Sequence, residues 1–229
     1  MTGVGGDELA EIVKIDRLEM GPSKAENFAT IAAGKFGGSV DGLPVVGLFG
    51  NDFLGNYDTI IDIPDHVVSL VRTEDCSSPA PGWGEKIHTI PITHADARHP
   101  ETELTVKING HAADAFLDSG SVNTLITMDV ARRAGVTREM LKHDPVHLGL
   151  GVTHDPLKIY RHQFSTLEVG DITFHNISLN VIDDLSDTEV LLGSDFLRHY
   201  RVWIGQGRKA YAQHDVDIPA DDPYRKAAE

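Results

Sequence analysis

The chain has 229 residues, 41% of them hydrophobic, so it can bury a core as one large domain or two small ones. Its 35 acidic and 20 basic side chains give a formal net charge of −15, which disfavours nucleic acid and anionic lipid surfaces as partners. The single cysteine, Cys76, excludes an intrachain disulfide, and no segment approaches the roughly 18 apolar residues of a membrane span.

Two patterns near the N-terminus recur in the same order farther along the chain. Leu-Glu-Met-Gly at 18–21 recurs as Leu-Glu-Val-Gly at 167–170, which is 149 residues later. Gly-Asn-Asp-Phe-Leu at 50–54 recurs as Gly-Ser-Asp-Phe-Leu at 193–197, which is 143 residues later. Such order and spacing indicate an internal duplication.

The two copies differ in how much precedes these patterns. About sixty residues, from Ile87 to Leu148, precede them in the second copy and have no counterpart in the first. We therefore expect residues 1–72 to be the C-terminal half of a first lobe and residues 87–213 to be a complete second lobe. Residues 73–86, rich in Ser, Pro and Gly, are the expected linker, and residues 214–229 are the expected acidic tail.

The second copy begins with a predicted β-hairpin that ends at an aspartate. Apolar residues alternate from Leu104 to Ile108 and again from Ala113 to Leu117, and Asn109-Gly110 between them is a strong hairpin signal. Asp118 therefore follows a strand end. Residues 128–134 have helical spacing, with Thr127 as the predicted N-cap and Gly135 as the C-terminal stop.

The remaining elements are also short. His147–Val152 and the strand from Leu157 predict a glycine-containing hairpin, and Gly170-Asp171 predicts a turn between two further strands. Residues 190–192 form an apolar strand, and a helical turn at 194–200 precedes a last hairpin through residues 205–207. Many short strands with frequent turns predict an all-β fold.

Asp118-Ser119-Gly120-Ser121, followed about seventy residues later by Leu191-Leu192-Gly193, resembles the active-site pattern of one protein family. In this order, the elements of the second copy resemble a retropepsin-like lobe of the pepsin superfamily, which includes retroviral proteases and bacterial tandem-lobe aspartyl proteases. The resemblance implies an all-β protein with pepsin-like or retropepsin-like lobes and short helices: one incomplete N-terminal half-lobe and one complete lobe.

The resemblance also implies roles for particular residues. Asp118 would be the catalytic aspartate of an endopeptidase, supported in its loop by Ser119, Gly120 and Ser121. A mobile hairpin over residues 147–160, the flap, would close on a polypeptide substrate. The expected flap contacts are Gly149, Leu150, Gly151 and Val152, and residues 190–193 would pack behind the loop. The family uses no metal or cofactor, and its bacterial members are often periplasmic or envelope proteins.

The catalytic chemistry requires a second carboxylate. Two carboxyl groups sharing a proton provide one base and one acid for a bound water, whereas this sequence has one Asp-Ser/Thr-Gly. The second aspartate is expected from a segment upstream of Met1, which we favour, or from a second copy of the chain. The alternative is a non-catalytic binding or scaffolding module.

Other candidate groups have simpler explanations. Asp52 and Asp195, in the repeated Gly-x-Asp-Phe-Leu, are expected to cap short helical turns. His143 and His147 are separated by Pro145, which breaks the helix that would be needed for metal ligation at this spacing. No metal site is predicted.

Overall fold

The computed structural model describes most of the chain between residues 9 and 214. The described residues are 2–3, 6–7, 9–21, 23–33, 39–72, 83, 87–94, 101–151, 156–185, 188–205 and 209–214. The predicted linker, apart from Trp83, and the predicted tail, apart from His214, lie outside these ranges, as does the flap residue Val152.

The described elements are mostly short strands, which confirms the all-β prediction. The strands are β1 (Thr2–Gly3), β2 (Gly6–Asp7), β3 (Ala10–Met20), β4 (Ser23–Ala33), β5 (Ser39–Val40), β6 (Leu43–Pro44), β7 (Asp58–Asp62), β8 (Val67–Val71), β9 (His88–His94), β10 (Thr102–Ile108), β11 (His111–Leu117), β12 (Leu125–Thr127), β13 (Val146–Leu150), β14 (Pro156–Val169), β15 (Ile172–Ile182), β16 (Val190–Leu192), β17 (Tyr200–Ile204) and β18 (Lys209–His214). The helices are α1 (Asn51–Leu54), α2 (Met128–Arg133), α3 (Arg138–Leu141) and α4 (Ser194–Leu197).

Twelve of these strands form one continuous sheet. Their order is β13-β14-β15-β12-β16-β11-β10-β9-β18-β17-β7-β8, and β14 also pairs with β10. The pairs β11–β16 and β12–β15 are parallel, whereas the other pairs in the sheet are antiparallel. The strand before Asp118 therefore lies beside the apolar strand β16.

The main hydrophobic core lies within residues 90–212. It joins side chains of the β10–β11 hairpin, helix α2, the long β14–β15 hairpin and the strands β16 and β17. The predicted local signals are present: Asn109 and Gly110 have φ of 49° and 79°, and Thr127 caps α2 by accepting from Val130 N at 3.3 Å. Gly135 follows α2 with φ of 91°.

The β3–β4 hairpin and the β14–β15 hairpin share their backbone irregularities. Each turns at a glycine with positive φ, Gly21 at 56° and Gly170 at 60°. In each hairpin one residue pair is missing from the ladder, at an asparagine whose backbone is in the left-handed region. These asparagines are Asn27, with φ of 54°, and Asn176, with φ of 53°. Few residues other than glycine adopt this conformation. The two glycines are 149 positions apart, and so are the two asparagines, which is the offset of the Leu-Glu-x-Gly repeat in the sequence.

Equivalent side chains of the two hairpins differ in burial. Phe164, Leu167 and Ile177 are fully buried in the core that contains β10, β11 and α2. Their equivalents at the 149-residue offset, Ile15, Leu18 and Phe28, are only half-buried. Because apolar side chains contribute to stability in proportion to the area they bury, the first hairpin gains less from the same pattern.

Strand β7 joins the two parts of the sheet by pairing with β17. Ile60 lies opposite Trp203, and these two residues are 143 apart, the same offset that separates Gly50 from Gly193. When a residue pairs with its own repeat equivalent in an antiparallel ladder, a local two-fold axis passes between the two residues. This axis therefore relates β7 to β17.

Candidate active site

Asp118 lies at the end of β11, in a loop that the backbone itself supports. Asp118 N donates to Leu192 O at 3.0 Å, which extends the β11–β16 ladder by one residue. The Asp118 side chain is half-buried, and its Oδ1 accepts from Gly120 N at 2.8 Å. A Cβ on Gly120 would lie 3.1 Å from this oxygen, so the close approach favours glycine.

Hydrogen bonds from the first residue of α4 fix the Asp118 loop. Ser194 N donates to Ser121 O at 2.8 Å, and Ser194 Oγ donates to the same oxygen at 2.7 Å. Ser194 Oγ also lies 3.4 Å from Ser119 O, and Ser121 Oγ donates to Asn123 O at 2.8 Å. Ser119 thus contacts Ser194 through its carbonyl oxygen. The sequence analysis missed Ser194, although its position directly after Leu-Leu-Gly was a signal.

A buried carboxylate makes the second link between α4 and the loop. Asp195 Oδ2 accepts from Thr124 N at 2.8 Å, and Asp195 Oδ1 accepts from Thr124 Oγ1 at 2.7 Å and from Phe196 N at 2.9 Å. The cap residue of α4 is Gly193, without a side-chain cap bond. Asp195 is thus in the first turn of α4 and accepts from a backbone N–H there, as predicted, but it is not the N-cap residue, and its other two bonds fix Thr124. The Asp52 side chain lies outside the described residues.

Burial dominates the electrostatics of Asp195. Desolvation raises the pKa of its carboxyl group, and the hydrogen bonds from Thr124 and Phe196 offset part of that rise. Thr124 Oγ1 also accepts from Gly193 N at 3.2 Å. Thr124 is thus a second residue that the sequence analysis missed, because its partners lie about seventy positions away.

Gly193 is required because the loop backbone packs against it. A Cβ at this position would lie 2.6 Å from Asn123 C, 2.7 Å from Asn123 O and 2.9 Å from Ser121 O. These are backbone atoms that cannot move without displacing the Asp118 loop. The predicted packing of residues 190–193 behind the loop agrees with this contact, and β16 is fully buried.

We expect Gly193→Ala to lower the free energy of unfolding by about 1–3 kcal/mol, because the added methyl group overlaps the loop backbone. Urea unfolding measures the change. Gly47→Ala is the matched control, since a Cβ there meets no atom within 4 Å and its φ is not positive. Equal stability of the two variants would contradict the close packing of Gly193.

The predicted flap region is a hairpin of β13 and β14. Gly149 lies opposite Leu157 and is half-buried, and Leu148 and Leu150 are exposed. Gly151 follows β13 and is half-buried. The base of the hairpin is joined to the strands of the Asp118 loop by a separate apolar cluster that contains Leu125, Ile159, Ile182, Leu185 and Leu191, with Phe116 and Leu157 packed against it.

Within the described residues, we find no second site among the other acidic and histidine side chains. Asp62, the last residue of β7, accepts from Asp65 N at 3.2 Å in the turn that follows the strand. Among the described residues, no group of three or more His, Cys, Asp or Glu side chains could hold a metal ion. No helix within the described part of the chain is long and apolar enough to span a membrane.

This arrangement defines the class of fold. An Asp-Ser-Gly loop follows a strand that pairs with a buried Leu-Leu-Gly strand, and a hairpin lies at the far end of the same sheet. Residues 104–199, which carry the loop, match the model of the family described as "gag-polyprotein putative aspartyl protease". This part of the chain has a retropepsin-like aspartic protease fold, as the sequence predicted.

Individual relatives match about half of the chain. The UBA domain-containing protein Mud1 of Schizosaccharomyces pombe is 33% identical over 118 residues, which are 51% of this chain and 34% of that protein. DNA damage-inducible protein 1 of Kluyveromyces lactis is 30% identical over 117 residues, which are 51% of this chain and 27% of that protein. The matched segment therefore spans about a third or less of these relatives' length.

One solved structure is similar over nearly its whole length. A retropepsin-like aspartic protease from Rickettsia conorii is 20% identical, with a TM-score of 0.44, and the match covers 59% of this chain and 97% of that one.

Proposed function

We propose that this chain is an aspartic endopeptidase in which Asp118 is one of two catalytic carboxylates. The observation that carries the proposal is the Asp118 loop: a half-exposed carboxylate, oriented by Gly120 N, on a loop that α4 and β16 fix from behind. Such fixed geometry is what a general acid or base needs to reach a reacting water.

The proposed reaction is hydrolysis of a peptide bond without a covalent intermediate. Two carboxyl groups about 3 Å apart share one proton, so one is a base and the other an acid. The base removes a proton from the attacking water, and the acid protonates the carbonyl oxygen of the substrate. Protonation of the leaving nitrogen then allows the tetrahedral intermediate to break down to an acid and an amine.

The second carboxylate would belong to another loop of the same type, related to the Asp118 loop by the local two-fold axis between β7 and β17. The pairing of Ile60 with Trp203 supports this position. Because β7 pairs with β17, the edge of β17 at which a second copy of the chain would pair is already occupied. Residues 1–72 are accordingly proposed as half of a first lobe, 73–86 as the linker, 87–213 as the second lobe and 214–229 as a tail.

The direct test is a cleavage assay on a mixture of extended peptides at several pH values between about 3 and 7, since general acid–base catalysis depends on pH. Mass spectrometry should detect internal peptide-bond cleavage, and a peptide with a hydroxyl-bearing tetrahedral centre in place of the scissile bond should inhibit it. Saturable binding of such peptides without any cleavage would favour the non-catalytic module, which the single Asp-Ser-Gly in the sequence supports.

The flap hairpin gives a prediction for substrate binding. Leu150→Ser should raise KM about fivefold with little change in kcat, because an exposed apolar side chain that becomes covered by substrate contributes about 1 kcal/mol to binding. Steady-state kinetics measure both constants. Leu43→Ser is the control, since Leu43 is equally exposed but lies on β6. An unchanged KM for Leu150→Ser would exclude a substrate contact.

A further inference from the structure

A hydrogen-bonded pair of an aspartate and a histidine lies at the base of the flap hairpin. Asp144 is in the turn between α3 and β13, and its Oδ2 is 2.6 Å from Nδ1 of His162 on β14. The side chains of Asp144 and His162 are 21% and 14% exposed. Because an ionised carboxylate only accepts hydrogen bonds, Nδ1 is the donor. Such a charge-assisted bond between largely buried groups is stronger than an exposed ion pair.

Each partner of this pair is attached to the main core. Asp144 N donates to Leu141 O at 3.2 Å, and Leu141 is a fully buried residue of α3. The His162 ring meets the Phe164 ring edge to face, with the centroids 5.1 Å apart, and Phe164 is also fully buried. His162 lies opposite Leu179 in the β14–β15 ladder. The hydrogen bond therefore joins the end of α3 to the long β14–β15 hairpin.

The first strand of the flap has less support than the second. β13 is at one end of the sheet order and, in the part of the chain that the structure describes, pairs only with β14. Leu148 and Leu150 of β13 are 71% and 75% exposed, whereas Ile159 of β14 is buried in the apolar cluster at the base of the flap. Arg161 N donates to Pro145 O at 3.0 Å where the ladder begins. Besides its ladder with β14, β13 therefore depends on the turn that precedes it.

We propose that Asp144 and His162 are positioning residues of the flap, because their hydrogen bond fixes the point at which β13 leaves the core. They act through the flap and need no contact with the substrate. The bond keeps the two strands of the flap in the geometry that closes over a peptide, so less of the binding free energy is lost in ordering the flap. This inference rests on the proposed function, in which the flap covers the substrate.

The first test is hydrogen exchange of the full chain without ligand, read by mass spectrometry over residues 142–151. His162→Phe keeps an aromatic ring beside Phe164 and removes the donor to Asp144. It should raise the exchange rate of the protected β13 amides at least about fivefold and leave the β10–β11 hairpin within about twofold of the wild type. Asp144→Ala should have the same effect. The double variant should exchange no faster than either single variant, because all three lack the same bond.

Two further variants separate the role of this bond from a general loss of stability. His88→Phe removes the donor of another His–Asp pair, in which His88 Nδ1 is 3.0 Å from Asp171 Oδ1, and keeps a ring beside Tyr200. It should leave the exchange of β13 unchanged, because this pair lies outside the flap. His162→Asn should restore exchange to within about twofold of the wild type, since its amide nitrogen can take the place of Nδ1 and donate to Asp144.

Steady-state kinetics test whether the bond serves substrate binding. His162→Phe should raise KM about fivefold with kcat within about twofold, since the closed complex is the same once it has formed. Wild-type exchange or an unchanged KM in His162→Phe overturns the proposal. Equally fast exchange in His88→Phe or His162→Asn also overturns it, and so does a double variant that exchanges faster than both single variants. If the wild type cleaves no peptide, the proposed function fails, and the exchange rates alone decide whether Asp144 and His162 fix the flap.

Discussion

Asp118→Asn is expected to lower kcat/KM for peptide cleavage by at least about a thousandfold and to leave the fold intact. The amide cannot accept a proton from the attacking water or share one with a second carboxylate. Its Oδ1 can still accept from Gly120 N, which is 2.8 Å from the carboxylate oxygen in the wild type. The rate of peptide hydrolysis and the thermal unfolding midpoint measure the two effects.

Asp129→Asn is the matched control for this substitution. Asp129 lies on α2, is exposed, and pairs with Arg132 at 3.1 Å in a surface ion pair that contributes little to stability. Its activity should equal that of the wild type. If Asp118→Asn cleaved peptides at the wild-type rate, the catalytic assignment would be wrong, because no other aspartate in the sequence follows the same loop pattern.

Local signals predicted the elements that carry Asp118. The Asn109-Gly110 turn requires positive φ at both residues, and few sequences other than Asn-Gly tolerate it. Thr127 begins α2 because its side chain caps the helix, and Gly135 follows the end of α2 because it adopts a positive φ. In each case the physical cause lies within a few residues of its effect, so the sequence alone contains it.

The parts that the sequence analysis missed depend on contacts between distant positions. Asp195 meets Thr124 across 71 positions, and no local pattern distinguishes this contact from a helix cap. Helix α3 is a single turn in which only Leu141 is buried, so it has no apolar periodicity to detect. The sequence repeat predicted equivalent elements, but the lower burial of Ile15 and Phe28 depends on which other elements pack against them.

The second large effect is expected at Asp195. Asp195→Asn should lower the free energy of unfolding by about 1–3 kcal/mol at neutral pH, because its amide nitrogen would face the Thr124 N–H where a carboxylate oxygen now accepts. Asp183→Asn is the control, since Asp183 is exposed and pairs with Arg138 on the surface. Urea unfolding of both variants measures the difference.

The loss of stability in Asp195→Asn, which is the difference in free energy of unfolding between wild type and variant, should depend on pH in a definite direction. Burial raises the pKa of the folded Asp195 above its ordinary value of 3.8, so the folded protein binds a proton there more tightly than the unfolded chain. The linked stability is fully present below pH 3.8 and is lost as the pH rises through the folded pKa. The asparagine of the variant does not titrate. The other titratable groups are the same in both proteins, so their contributions to the pH dependence cancel in the comparison. The destabilisation by Asp195→Asn should therefore be larger in acid than at neutral pH. A difference that grows as the pH rises would show that the hydrogen bonds from Thr124 outweigh the cost of burying the charge.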